Sequence, residues 1–297
     1  MELQDIAKAI KDTKEQIFLL YAFNATGKTR LSVEYKELCR NEEHKQTGVY
    51  YNAFSEDLFV WNNDIENAEE NIRMRIVKSS LNDLHSYIDE TKVREKLKPY
   101  NVKYDFDFHT NEEHPEDGIE EIIFYLKDAE DKNPIKISRG EERIFIWCFF
   151  LALFDTEGWQ DEQNEYIFVD DPVSSLDDHN IFVTIFTLLE LIDKYCDKKK
   201  IIITTHHIGF ATILSDCLFK GEKSDRYKKK SKIQLLERTD DGYVLANPKN
   251  DVLLYHLRLL QILDDAVVKD ELEIYHIALL RQVLENIASF LGTGQLK

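Results

Sequence analysis

The chain has 297 residues, with 38 Lys or Arg against 56 Asp or Glu, so its formal net charge is −18 at pH 7. No run of about 18 apolar residues is present, which excludes an ordinary transmembrane helix, and the charged N-terminus lacks the pattern of a secretory signal peptide. Four scattered cysteines without CxxC spacing argue against a zinc site and favour a cytoplasmic location. A chain this acidic is expected to repel nucleic acid on average.

Three short apolar runs, 17–21, 166–169 and 201–205, predict buried strands. They are rich in β-branched and aromatic residues and too short for helices, as in strands that are covered on both faces. Helical stretches are predicted at 28–40 and 141–154. This alternation of strands and helices predicts an α/β fold with a parallel or mixed sheet.

The first predicted strand leads into a phosphate-binding loop at 22–29, with the sequence AFNATGKT, ahead of a predicted helix. Backbone N–H groups at the start of that helix would face the phosphates. Lys28 would reach the β- and γ-phosphates, and the Thr29 hydroxyl would bind Mg²⁺. The residues predicted to bind nucleotide here are Asn24, Ala25, Thr26, Gly27, Lys28 and Thr29.

The second predicted strand ends in two consecutive acidic residues, Asp170 and Asp171, which is typical of a Walker B element. We predict that Asp170 and Thr29 hold Mg²⁺ and that Asp171 polarises the attacking water. Two carboxylates at a buried strand end repel each other, and a bound cation relieves that repulsion. The alternative is a pair of solvated turn residues before Pro172.

Three further motifs resemble those of ABC-type ATPases. The segment 172–177 (PVSSLD) is similar to their D-loop, which implies that Ser174 and Asp177 contact nucleotide. The segment 137–141 (ISRGE) is similar to their signature motif, and His206 is similar to their switch histidine. The resemblance implies a P-loop head that hydrolyses ATP or GTP as a head-to-head homodimer. In such a dimer the signature residues, Ser138, Gly140 and Glu141, would act on the nucleotide held by the other head.

A narrower resemblance covers nearly the whole chain. The segments 21–32, 50–59, 168–178, 202–206 and 275–292 are similar to PrrC-type anticodon nucleases. That family joins an ABC-type head to a C-terminal, metal-independent ribonuclease that cleaves tRNA-Lys in its anticodon loop. The resemblance implies that Arg281 and Glu285 are two of its three catalytic residues. No residue matches the third, a histidine, so we expect a chain truncated at its C-terminus.

The same resemblance implies regulation and partners. The family's nuclease is held silent by a type I restriction–modification complex and is released when a phage disables that complex. GTP hydrolysis and thymidine nucleotides are implicated in the release, and oligomers larger than a dimer are a further expectation. Ala25 stands where the family has glycine, so we expect weaker phosphate binding.

We predict two domains, a nucleotide-hydrolysing head at 1–247 and the start of a helical nuclease module at 248–297. Two alternatives stay open. The chain is either a RecF- or SMC-like ATPase that senses DNA or an invader without nuclease activity, or an inactive scaffold. The Arg281–Glu285 pair would then be an ordinary i,i+4 ion pair on a helix.

The acidic excess is concentrated within a predicted insertion at about 101–133. Its segment 105–131 has 11 acidic residues and one lysine, and we interpret it as a solvated surface hairpin. A basic segment lies at 220–232, either as a solvated loop or as a contact for tRNA phosphates. The lysine-rich segments after residue 194 are therefore expected to be available to RNA despite the average charge.

Overall fold

The computed structural model describes residues 1–41, 47–52, 59–63, 71–77, 88–110, 118–129, 131–155, 165–174 and 176–248. Between 260 and 284 it describes positions 260, 263–264, 266–268, 270, 272–273, 276–277, 280–281 and 283–284. The helices are α1 (Leu3–Asp12), α2 (Lys28–Leu38), α3 (Glu90–Leu97), α4 (Arg139–Phe154), α5 (Asp178–Tyr195), α6 (Ile208–Phe219) and α7 (Ser224–Tyr227). A 3₁₀ helix, Lys98–Tyr100, follows α3. The strands are β1 (Ile17–Tyr21), β2 (Gly48–Asn52), β3 (Phe59–Asn62), β4 (Arg73–Ile76), β5 (Tyr104–Thr110), β6 (Ile119–Leu126), β7 (Tyr166–Asp170), β8 (Lys200–Thr205), β9 (Ser231–Thr239) and β10 (Gly242–Ala246).

Six strands form one sheet in the order β10-β9-β1-β8-β7-β2, parallel except for β10. The three strands predicted from the sequence are β1, β7 and β8, and β1 and β7 are buried along their whole length. Alternate residues of β1 enter two different apolar clusters, Phe18 with Leu20 in one and Ile17 with Leu19 in the other. Helices therefore cover both faces, and the predicted α/β fold with a mixed sheet is confirmed.

The register of the parallel strands brings three chain segments to one edge of this sheet. Tyr21 at the end of β1 is aligned with Thr205 at the end of β8, and Asp170 at the end of β7 is aligned with Thr204. Ligand sites of open α/β sheets lie at the carboxyl ends of the strands. The phosphate loop, the acidic pair and His206 therefore share this edge.

The acidic segment is a hairpin, as predicted, but one of its faces belongs to the core. Its strands β5 and β6 lie in an antiparallel sheet of order β3-β4-β6-β5. Phe106 and Phe124 pack edge-to-face on Phe145 of α4, with ring centroids 5.0 and 4.9 Å apart. The expectation of a wholly solvated hairpin is corrected, because apolar and acidic residues alternate and the apolar ones face inward.

The acidic face of this hairpin is partly neutralised by nearby cations. Arg94 of α3 donates to Asp105 at 2.8 Å, and Lys132 donates to Asp107 at 2.8 Å. Arg73 donates to Glu121 at 2.5 Å. The formal charge therefore overstates the negative field of this surface.

The helical character predicted for the C-terminal segment is seen at several described positions between 260 and 284. Glu285 lies outside the described residues. The division of the chain at residue 247 stays a prediction. Among the helices that the structure describes, none is long and apolar enough to cross a membrane.

Candidate nucleotide site

The phosphate loop connects the end of β1 to the start of α2. Gly27 immediately precedes α2 with a φ of 100°, a left-handed conformation that side chains other than glycine rarely adopt. A Cβ atom at this position would lie 3.4 Å from the Tyr243 hydroxyl and 3.5 Å from Leu3, which are ordinary contacts. Backbone conformation rather than lack of space therefore requires glycine here.

Ala25 also lies in the left-handed region, with a φ of 63°, and its side chain is exposed. This conformation costs a residue with a Cβ atom about 1–2 kcal/mol relative to glycine. The sequence predicted a steric problem toward the phosphates at this position. The structure adds a second reason for glycine in the family, which is the backbone conformation itself.

Lys28 is folded back onto the loop that it follows. Its Nζ atom donates to the carbonyl oxygens of Ala22 at 3.2 Å and Phe23 at 3.3 Å, and it lies 3.9 Å from Asp171 Oδ2. Burial lowers the pKa of Lys28, although the two neighbouring carboxylates oppose this effect. The ammonium group is thus held at the loop where phosphates would bind.

Asp170 is almost fully buried at the end of β7. Its Oδ2 atom accepts from Thr29 Oγ1 at 3.2 Å and from the Tyr50 hydroxyl at 3.4 Å, and its Oδ1 atom accepts from the Thr204 hydroxyl. Burial and the adjacent Asp171 carboxylate raise the pKa of Asp170 against the lowering effect of its hydrogen bonds. Ionisation of this carboxyl group is therefore less favourable than that of an exposed aspartate, despite its hydrogen bonds.

These groups fit Mg²⁺. Thr29 and Asp170 supply the hard oxygen ligands that this ion prefers, and a cation would relieve the cost of ionising Asp170. Over the described part of the chain, no group of three or more His, Cys, Asp or Glu side chains is placed to hold a metal. Mg²⁺ at nucleotide sites usually needs only one or two carboxylates, because phosphates and waters complete its shell.

Asp171 has a different environment from its neighbour. It is buried with a φ of 54°, and its Oδ2 atom pairs with His206 Nδ1. Its Oδ1 atom accepts from Thr205 Oγ1 at 3.1 Å and from the His206 backbone N–H at 3.2 Å. Burial raises the pKa of Asp171, but the hydrogen bonds and charges of His206 and Lys28 outweigh it and lower the pKa overall. The structure thus joins the predicted water-polarising acid to the predicted switch histidine.

The signature residues form the N-terminus of α4. Ser138 and Glu141 hydrogen-bond each other in a capping box; Ser138 is exposed and Glu141 is partly exposed. Gly140 lies in the first turn of the same helix. These bonds join the signature residues to each other rather than to the phosphate loop, so their action on a second head stays a prediction.

The D-loop residues lie between the end of β7 and the start of α5. Arg143 Nη1 of α4 donates to the Ser174 carbonyl, and Asp177 caps α5 by accepting from the backbone N–H of Asn180 at 2.8 Å. No interaction with nucleotide follows from these contacts. The predicted nucleotide contacts of Ser174 and Asp177 therefore stay predictions.

Of the two predicted nuclease residues, Arg281 is described as helical and exposed. Its partner Glu285 lies outside the described residues, so their geometry is not defined. His276 is buried, and its Nδ1 atom accepts from the backbone N–H of Glu273 at 2.9 Å.

The basic segment is largely paired with acidic residues. Lys223 and Arg226 donate to Asp193 at 2.8 and 2.6 Å. Lys228 pairs with Asp225, and Lys230 pairs with Asp197. The expectation that this segment is available to RNA is weakened, because local carboxylates compete for its charges.

Sequence reasoning missed three hydroxyl groups at the site, those of Tyr50, Thr204 and Thr205. All three hydrogen-bond Asp170 or Asp171. The available signal was a pair of polar residues at the end of an otherwise apolar strand. Only the strand register shows that they face the two acids.

Comparisons with known proteins identify the family. A family model described as an AAA domain matches residues 85–256. The "Anticodon nuclease" of Escherichia coli is 34% identical to this chain, in an alignment that covers 93% of the chain and 75% of that relative. The chain belongs to the anticodon nuclease family. This family assignment confirms the resemblance found in the sequence and disfavours an ATPase without a nuclease.

Two solved structures are similar to this anticodon nuclease family member at low identity. One is the Smc head domain with a coiled coil and joint from Pyrococcus yayanosii, with a TM-score of 0.39 and 15% identity. That match covers 61% of the chain but only 29% of the solved one. The other is the SmcHead bound to the C-winged helix domain of ScpA, with a TM-score of 0.43, 12% identity and coverage of 80% and 91%.

Proposed function

We propose that this chain is a nucleotide-gated endoribonuclease that cleaves a tRNA of the tRNA-Lys type in its anticodon loop, as part of antiphage defence. The observation that carries the proposal is the 34% identity to the Anticodon nuclease of Escherichia coli over 93% of the chain. The phosphate loop, the acidic pair and His206 at one sheet edge support the nucleotide-dependent part.

The head would bind and hydrolyse ATP or GTP. The N–H groups of the phosphate loop and the Lys28 ammonium would hold the phosphates, with Thr29 and Asp170 as ligands of Mg²⁺. When bound, Mg²⁺ would neutralise charge that develops on the phosphate oxygens. Asp171 would orient the attacking water, and His206, which already contacts Asp171, would lie beside it. Binding of thymidine nucleotide is a further part of this proposal.

The nuclease would need no metal. Glu285 would remove the proton from a ribose 2′-OH, whose oxygen then bonds to the adjacent phosphorus as the bond to the 5′-oxygen breaks. Arg281 would stabilise the added negative charge on the phosphoryl oxygens. The product would be a 2′,3′-cyclic phosphate and a free 5′-OH, with the last proton supplied by an acid not assigned in this chain.

The heads would act as a homodimer. Ser138 is exposed, and Gly140 and Glu141 are partly exposed, at the N-terminus of α4, where backbone N–H groups attract anions. In the proposed dimer this end of α4 would contact the γ-phosphate bound by the other head. A type I restriction–modification complex would be the partner that keeps the nuclease silent.

The test is to incubate the full-length protein, which would include the catalytic histidine expected downstream of this chain, with tRNA and Mg²⁺ in the presence of ATP, GTP or thymidine triphosphate, and to map the RNA ends. We expect cleavage in the anticodon loop, cyclic phosphate ends, and loss of cleavage in Arg281→Ala. The matched control is Arg238→Ala, which removes an exposed arginine of β9 outside the candidate site. Intact anticodon loops with every nucleotide would contradict the proposal.

A further inference from the structure

Two consecutive threonines end β8 opposite the two acidic residues that end β7. The Thr204 hydroxyl donates to Asp170 Oδ1, and the Thr205 hydroxyl donates to Asp171 Oδ1 at 3.1 Å. Both threonines have an exposed fraction of 0%. Each acid is therefore held by its own hydroxyl donor from the adjacent strand.

The second oxygen of each carboxylate points to a different functional group. Asp170 Oδ2 lies 3.2 Å from Thr29 Oγ1, the other predicted Mg²⁺ ligand. Asp171 Oδ2 pairs with His206 Nδ1. A hydroxyl on the first oxygen fixes the plane of a carboxylate and hence the direction of the second oxygen.

The direction of the Thr205 hydrogen bond follows from its other partner. The Thr205 oxygen accepts from the His207 backbone N–H at 3.0 Å. Its single proton is then available to Asp171 Oδ1, which lies 3.1 Å away. The backbone supports the same alignment, because the Asp171 N–H donates to the Thr204 carbonyl at 2.9 Å.

We propose that Thr204 and Thr205 are positioning residues with separate tasks, an inference that rests on the proposed nucleotide hydrolysis. Thr204 orients Asp170 toward Thr29 and the Mg²⁺ position. Thr205 orients Asp171 toward His206 and the attacking water. If the two hydroxyls only satisfied buried hydrogen bonds, removal of either would lower the stability of the fold. Neither substitution would then selectively change Mg²⁺ binding or hydrolysis.

The test uses Thr204→Val and Thr205→Val, which keep the β-branched shape and remove the hydroxyl. Calorimetry measures the Mg²⁺ dependence of binding of a non-hydrolysable ATP or GTP analogue, and steady-state assays measure kcat and KM. We expect Thr204→Val to raise the Mg²⁺ requirement about ten-fold, because the hydrogen bond is made to a charged acceptor. Thr205→Val should lower kcat about ten-fold at an unchanged Mg²⁺ requirement.

Two sets of controls separate positioning from folding. Thr204→Ser and Thr205→Ser keep the hydroxyl and should restore most of each property. Thr184→Val removes another buried hydroxyl, bonded to Tyr100 at 3.0 Å, and should change neither property. Thermal unfolding of all five variants reports any loss of stability.

The inference would be overturned if the wild type hydrolyses nucleotide and both valine variants behave like Thr184→Val, or if both shift the Mg²⁺ requirement and kcat together. Failure of the serine variants to restore function would also overturn it. A wild type that hydrolyses no nucleotide would contradict the proposed function and with it the task of Thr205. The Mg²⁺ titration would still decide the task of Thr204.

Discussion

The candidate nucleotide site and the proposed nuclease helix would place their functional residues in two different ways. At the nucleotide edge, groups far apart in sequence meet through parallel strand pairing, such as Asp171 and His206, which are 35 residues apart. In the C-terminal segment, Arg281 and Glu285 are four residues apart in sequence, a spacing that predicts one face of a helix. The first kind of site depends on the whole fold, whereas the second depends on one helix. Substitutions should therefore separate the two activities.

The largest effect is expected from Lys28→Ala. The substitution removes the cation that lies over the phosphate loop, so nucleotide affinity should fall by about 100-fold or more. Calorimetry with ATP and GTP measures this loss. Lys8→Ala, which removes an exposed lysine of α1, is the matched control. Unchanged affinity in Lys28→Ala would show that the nucleotide binds elsewhere. The candidate nucleotide site could then no longer be contrasted with the proposed nuclease helix.

A nearly equal effect on the other activity is expected from Arg281→Ala. Loss of the group that stabilises the phosphorane charge should reduce tRNA cleavage about 100-fold. Nucleotide hydrolysis should keep its wild-type kcat and KM, since Arg281 lies in another part of the chain. Parallel assays of RNA ends and released phosphate check both statements. Equal loss of both activities would mean that the two sites are not separable.

A pH titration of Mg²⁺ binding tests the raised pKa of Asp170. The pKa of Asp170 is raised, so protons compete with Mg²⁺ for its carboxylate at a higher pH than for an ordinary aspartate. The affinity for Mg²⁺ in the presence of a non-hydrolysable nucleotide should fall as the pH decreases through this raised pKa. Calorimetry across the acidic range measures it, and free nucleotide without protein corrects for the ligand's own titration.

The raised pKa of Asp170 and the lowered pKa of Asp171 have opposite effects on how the stability of the metal-free fold depends on pH. Because the pKa of Asp170 is raised, its contribution stabilises the fold at low pH and is lost as the pH rises through the folded value. Because the pKa of Asp171 is lowered, its contribution is present above the ordinary aspartate pKa and is lost as the pH falls. Thermal unfolding of Asp170→Asn should therefore show less loss of stability on raising the pH than the wild type.

The smallest effect is expected from Ala25→Gly. Glycine removes the cost of the left-handed conformation at φ 63°, about 1 kcal/mol, and opens space toward the phosphates. Nucleotide affinity should rise a few-fold by calorimetry. Gly27→Ala is the opposing variant, because its φ of 100° strains any side chain, and it should destabilise the loop. A fall in affinity for Ala25→Gly would show that the loop changes shape on binding.

The segments that meet at the candidate nucleotide site were recognisable in the sequence because each motif is contiguous. Residues 22–29 and the Asp170–Asp171 pair each sit next to an apolar strand, and a strand end is a local signal. The hydroxyls of Thr204, Thr205 and Tyr50 were missed because their relevance depends on pairing with other strands. The buried face of the acidic hairpin was missed because charged residues dominate the composition of that segment. Its packing depends instead on the alternation of apolar and acidic residues along the strands.

The sequence by itself determined the strands β1, β7 and β8, the motifs at 22–29 and 170–171, and the family, since all of these depend on contiguous residues. Only the tertiary structure decided how the two adjacent acids differ. Asp170 has a raised pKa and faces Thr29, and Asp171 has a lowered pKa and faces His206. The reason is that ionisation of a buried carboxylate depends on its desolvation and on its hydrogen-bond donors, which the register between β7 and β8 brings to it.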